Sequence, residues 1–108
     1  MYIESGRKTL RQLENPIEVA REVKEVVRRW WPQAKVYVFG STMKGACTAA
    51  SDIDVLIVLG GKVSLQEVVE VEAEVYMRVD APIQLHVATQ RQLEAWYRRF
   101  TDGIVEVD

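Results

Sequence analysis

Two short clusters hold the residue types that could do chemistry. The first is Gly40-Ser41. The second, after ten intervening residues, is Asp52-Ile53-Asp54. A glycine that follows a strand lets the backbone turn sharply and lets a ligand approach it closely. Ser41 would then open the next segment, where free backbone N–H groups point outward and a hydroxyl adds a donor, a natural setting for an anion. Lys44 lies one turn further on and could reach a phosphate as a point charge. Asp52 and Asp54 are two apart at the start of an apolar run, so an extended backbone sends both carboxylates to one side. Two adjacent carboxylates repel unless a cation sits between them. Hard oxygen ligands suit Mg²⁺, which also binds triphosphate oxygens. A phosphate cradle beside paired acids is the equipment for in-line phosphoryl or nucleotidyl transfer. Taken singly, Gly-Ser is a turn and Asp-x-Asp a solvated strand start; the two together, each in strand context, carry the chemical reading.

The elements that must position these residues read clearly. Val36-Tyr37-Val38-Phe39 is β-branched and aromatic and predicts a strand ending at Gly40-Ser41. Residues 42–50, rich in small side chains, form a loop or a short helix. Ile53 to Leu59 predicts a second strand, apolar on both faces beyond Asp54 and therefore central. Before these, Asn15-Pro16-Ile17-Glu18 reads as a helix start, with Asn15 as cap, Pro16 at the first turn and Glu18 as the capping-box acid. The helix runs to about Trp31 with the stripe Val19, Ala20, Val23, Val26, Val27 and Trp30, and Pro32 stops it. Ser64-Leu65-Gln66-Glu67 opens another helix, expected to bury Leu65, Val68, Val69, Val75 and Tyr76. Asp80-Ala81-Pro82 is a turn. Ile83 to Val87 alternates apolar and polar, a strand with one wet face carrying Gln84 and His86. Thr89-Gln90-Arg91-Gln92 is a third capping box, before a helix with Leu93, Trp96 and Phe100 inward. Ile104, Val105 and Val107 could add a short last strand. Residues 1–14 are polar and poorly defined, with Leu10 and Leu13 as one apolar edge.

Composition narrows the function classes. The 108 residues make one domain, 1–108, with 48% apolar and 28% charged residues, a folded globule's profile. Net charge is −2, so a basic nucleic-acid grip is not expected. The charge is uneven: residues 1–50 are basic and residues 51–108 are acidic. One cysteine, Cys47, and one histidine exclude an intrachain disulfide and a Cys/His zinc site, and point to a reducing compartment. Cys47 reads as a small packing residue. No signal-peptide core is visible and the run Val55 to Leu59 is far too short to cross a bilayer, so a cytoplasmic, non-membrane protein is expected. Arg28-Arg29 and Arg98-Arg99 read as solvated helix ends. Glu67, Glu70, Glu72 and Glu74 form an acidic helix that is either a wet face or a dock for a basic partner.

Gly40-Ser41-x10-Asp52-Ile53-Asp54 resembles the signature of the DNA polymerase beta-type nucleotidyltransferase superfamily. The runs Val38 to Ser41 and Ser51 to Leu56 resemble its minimal nucleotidyltransferase (MNT) members in prokaryotes. The likeness is tight from Val36 to Leu59 and looser from Pro82 to Phe100. It implies an α/β (α+β) fold, a small mixed sheet with helices on one face and the site on the other. It implies that Gly40 and Ser41, with help from Lys44, hold the phosphates of ATP or another nucleoside triphosphate, and that Asp52 and Asp54 hold Mg²⁺ or Mn²⁺. It also implies a partner, since such proteins are often encoded with a helical HEPN-domain protein as the antitoxin of a toxin–antitoxin pair, and in some pairs transfer AMP onto the toxin. The superfamily normally carries a third carboxylate on a later strand. The matching strand here offers Gln84 at the expected position, with His86 as a further third-site candidate. Gln cannot take a proton at neutral pH, whereas His can act as a base. Two readings therefore stand: a nucleotidyltransferase acting on a hydroxyl of a HEPN-type partner, or a catalytically weak or inactive subunit that neutralises such a toxin by contact. A homo-oligomer is left open.

Overall fold

The computed structural model describes residues 15–39, 52–97 and 103–108, with side chains at all of these but 96 and 97. Helix α1 covers Pro16–Trp30, strand β1 Lys35–Phe39, strand β2 Ile53–Leu59, helix α2 Leu65–Arg78 and strand β3 Ile83–Thr89. A short helix α3, Gln90–Gln92, runs on into a π-helical turn, Leu93–Tyr97, and strand β4 is Val105–Glu106. The strand order is β3-β2-β1-β4. β1 is antiparallel to both β2 and β4, and β2 is parallel to β3, so the sheet is mixed. Parallel neighbours cannot be joined by a tight hairpin, and α2 supplies the crossover.

The larger core lies between the helices and one face of the sheet. Val19, Ala20, Val23, Val26 and Val27 of α1 and Val71 and Val75 of α2 meet Val36, Val38, Ile53, Val55 and Ile57. Each of these Val and Ile side chains fully removed from water contributes roughly 1.5–3 kcal/mol before chain entropy is set against it. A smaller cluster forms on the opposite face from Tyr37, Leu56, Val58, Ala88 and Leu93, with Phe39 and Ile104 against it. β2 feeds both, as its two-sided apolar sequence requires. The two long helices occupy one face; the turn after α3 sends Leu93 to the other.

The ends of α1 differ from the sequence reading. Pro16 does open the helix, but the Asn15 side chain makes no capping bond to it; the Asn15 carbonyl takes the Val19 N–H at 3.4 Å. Glu18 turns to Arg21 instead of back to the cap. At the other end the indoles exchange roles. Trp30, expected on the buried stripe, is 39% exposed, and Trp31 is 8% exposed. Trp31 is the first residue off the helix (φ −127°, ψ 86°), and leaving helical geometry swings its ring inward. Its Nε1–H donates to Glu67 Oε1 at 2.6 Å, and Trp30 Nε1–H donates to Glu74, so both indoles tie α1 to α2.

That tie changes the cap of α2. Ser64 Oγ accepts the Glu67 N–H at 3.1 Å, but the Glu67 carboxylate goes to Trp31, leaving half a capping box. At α3 the full box forms: Thr89 Oγ1 accepts from Gln92 N–H at 3.1 Å, and Gln92 Oε1 accepts from Thr89 N–H at 2.9 Å. The buried side of α2 also departs from expectation. Val71 and Val75 are inside and Val68 is partly covered, whereas Leu65 (79%), Val69 (58%), Tyr76 and Met77 (86%) are exposed. Apolar residues ring this helix, so its own pattern selects no unique inner face. Packing against α1 makes the choice. The last strand arrives as expected: Gly103, at φ 70°, turns the chain into β4, and Val107, 1% exposed, donates its N–H to Val36 O at 2.8 Å.

Candidate functional site

Register decides which side chains share the open face. Phe39 of β1 lies opposite Asp54 of β2, and Asp54 opposite Gln84 of β3. The next row on that face is Tyr37, Leu56 and His86. The neighbours of Asp54 in sequence, Ile53 and Val55, are in the helix-side core, so the pleat turns Asp54 away from the helices. Below it on this face, Tyr37 and Leu56 are buried and form an apolar floor.

His86 is diagonal to Asp54 across the β2–β3 pair, and its Nε2 lies 3.2 Å from Asp54 Oδ1. Both side chains are about a quarter exposed. An ionised carboxylate only accepts, so this contact asks Nε2 to carry the proton. The Phe39 ring lies over the imidazole with centroids 5.1 Å apart, tilted by 54°. Asp52 sits just ahead of β2 and is exposed, and so is Gln84. Asp80 stays exposed in the turn before β3, as the sequence indicated, and does not belong to this row.

The structure therefore brings together Asp54, Gln84 and His86, with Asp52 at the mouth of the same strand. Gly40, Ser41 and Lys44 lie outside the described residues, as do residues 42–50 with Cys47, residues 1–14, and Arg98-Arg99 and Phe100. Phe39, the residue bonded to Gly40, is directly opposite Asp54. Sequence reasoning did not single out Phe39. Its signal was its two-residue spacing from Tyr37, which acquires meaning only once β1 and β2 are aligned.

The donor set is of one chemical kind. Two aspartates offer hard carboxylate oxygens, the preference of Mg²⁺ and Mn²⁺ over softer metals. Among the described residues, no group of three or more His, Cys, Asp or Glu side chains converges to hold a metal. Among the described residues no helix is long and apolar enough to cross a membrane.

The pattern that defines the nucleotidyltransferase domain family matches residues 20–102. A Sulfolobus solfataricus protein whose structure is provisionally described as a nucleotidyltransferase superposes with a TM-score of 0.61 at 21% identity, covering 96% of this chain and 83% of that one. A second structure with the same provisional description gives 0.66 at 26% identity, covering 82% of this chain and 96% of the other. No curated protein matches the chain. At these identities the two structures speak for the fold.

Proposed function

The chain belongs to the nucleotidyltransferase domain family, and from that premise we propose that it binds a nucleoside triphosphate, ATP first among them, with Mg²⁺ or Mn²⁺ and transfers the nucleoside monophosphate to a hydroxyl group. The observation that carries this reading is Asp54 on the open side of the sheet, opposite the last residue before Gly40-Ser41 and in contact with His86. In this reading Gly40 and Ser41 hold the phosphates through backbone N–H groups and the serine hydroxyl, and Lys44 offsets their charge. Asp52 and Asp54 hold the metal, which when bound draws off negative charge from the phosphate oxygens. The acceptor oxygen forms a bond to the α-phosphorus while the bond to the β-bridging oxygen breaks and pyrophosphate leaves. The hydroxyl proton passes to solvent water; Gln84 cannot accept it. His86 holds Asp54 in one orientation and serves as a positioning residue.

The acceptor, in this proposal, is on a HEPN-domain partner, and the chain is the antitoxin of the pair. Incubation with α-labelled ATP, Mg²⁺ and the neighbour-encoded partner should label that partner. D52N and D54N should each cut labelling about a hundredfold or more, the scale of several kcal/mol of lost transition-state stabilisation. Labelling that persists in both variants would overturn the reading. One observation favours a second reading, neutralisation by contact alone. Gln84, which cannot ionise, is the register partner of Asp54 on β3. That reading predicts a complex, no label, and no effect of D52N on assembly.

A further inference from the structure

The outer side of α2 is apolar where a solvated helix would be polar. Leu65, Val69, Ala73 and Met77 recur at four-residue spacing, and Tyr76 lies beside them; all are exposed. The stripe runs about 18 Å along the axis. Contiguous exposed apolar surface rimmed by polar groups marks an interaction site more often than scattered residues do. At the C-terminal end the stripe opens into a shallow depression of about 720 Å³ lined by Trp30, Glu70, Ala73, Glu74, Met77 and Arg78.

The rim is acidic. α2 carries Glu67, Glu70, Glu72 and Glu74 against one base, Arg78, and Arg78 Nε already bonds Glu74 Oε1 at 3.0 Å. On the helical wheel Glu72 flanks the stripe on one side and Glu70 and Glu74 on the other. This charge distribution selects the occupant. A second copy docking face to face would set acid against acid. An anionic membrane surface would be repelled in the same way. Strand addition at the neighbouring edge of β3 is obstructed, because the Tyr76 hydroxyl accepts the Leu85 N–H at 3.1 Å. A row of side chains four apart is complemented by the ridge of another helix.

We infer that the outer face of α2 docks an amphipathic helix of a partner protein whose apolar stripe is flanked by Lys and Arg. This surface is on the far side of the helix layer from Asp54, so the inference does not rest on the proposed transfer activity.

The probe is a labelled amphipathic helical peptide of about 18 residues with a leucine stripe and Lys/Arg flanks, long enough to span the stripe. It is titrated with the full chain and followed by fluorescence anisotropy. Saturable binding is expected, weakened about tenfold or more by V69E or M77E and weakened again by raising salt from about 50 to about 500 mM. Both substitutions are at exposed positions, and circular dichroism checks that the variants are folded. A peptide with the same stripe and Glu flanks should not bind. Equal binding of the two peptides, no loss in V69E and M77E, or no saturable binding of the basic peptide would overturn the inference. So would a concentration-dependent dimer dissolved by V69E, which would make the occupant a second copy. Sedimentation with phosphatidylserine vesicles would make it a membrane.

Discussion

At the scale of single residues, Asp54 and His86 are coupled while the stability of the fold rests elsewhere. Both side chains lie on the open face, outside the helix-side core. D54N should therefore leave the urea midpoint nearly unchanged while removing metal-dependent nucleotide binding, measured by calorimetry with Mg²⁺–ATP. H86A should weaken that binding about ten- to a hundredfold, the worth of one oriented hydrogen bond to a charged group. H86Q, which keeps an N–H donor, should recover part of the loss, a recovery that general loosening of the sheet would not give.

Glu74 makes a different residue-scale prediction. The hydrogen bond from the Trp30 indole, aided by Arg78, holds its carboxyl below the ordinary glutamate range. A lowered folded-state value means that the contribution to stability is fully present above the unfolded value and is lost as pH falls through the folded one. Acid unfolding should therefore be less steep in E74Q than in the parent chain, and Trp30 emission should change in the parent over the same acid range. Identical acid profiles would show that the bond does not form in solution.

At the scale of elements, the caps differ in completeness and should differ in cost. Thr89 exchanges two bonds with Gln92, whereas Ser64 receives one and the Glu67 carboxylate is held by Trp31. T89A should cost about 1 kcal/mol in denaturant unfolding, near the middle of the range for lost caps. W31F keeps a ring in the core but removes the donor to the partly buried Glu67 carboxylate, at about 0.5–1.5 kcal/mol. These elements were largely legible beforehand. β2 has the predicted bounds because four of its seven residues are β-branched and the run is short, and α1 stops at Trp30, two residues ahead of Pro32, because proline pushes the residue before it out of helical geometry. The caps were less legible. Asn15 and Glu67 have the right residue types at the right offsets, yet Glu18 and Glu67 find distant or lateral partners that local spacing does not encode.

At the scale of the whole molecule, β2 is the member on which both cores depend, packing Val55 and Ile57 under the helices and Leu56 and Val58 on the other face. I57A should cost about 2–5 kcal/mol by urea denaturation, far more than D54N on the open face. Asp54 is placed by this same strand: the apolar run that fixes β2 in the middle of the sheet also fixes the carboxylate at its mouth.

The sequence by itself determined the element order, the central strand and the family-like spacing of Gly40-Ser41 and Asp52-x-Asp54, because these follow from side-chain period, backbone restriction and short-range offsets. Tertiary structure alone decided that Trp31 and not Trp30 enters the core, that α2 turns Leu65, Val69 and Met77 outward, and that His86 meets Asp54. Each of these depends on how segments far apart in the chain align, and a contact across a sheet or between helices is set by register and packing, which no local pattern contains.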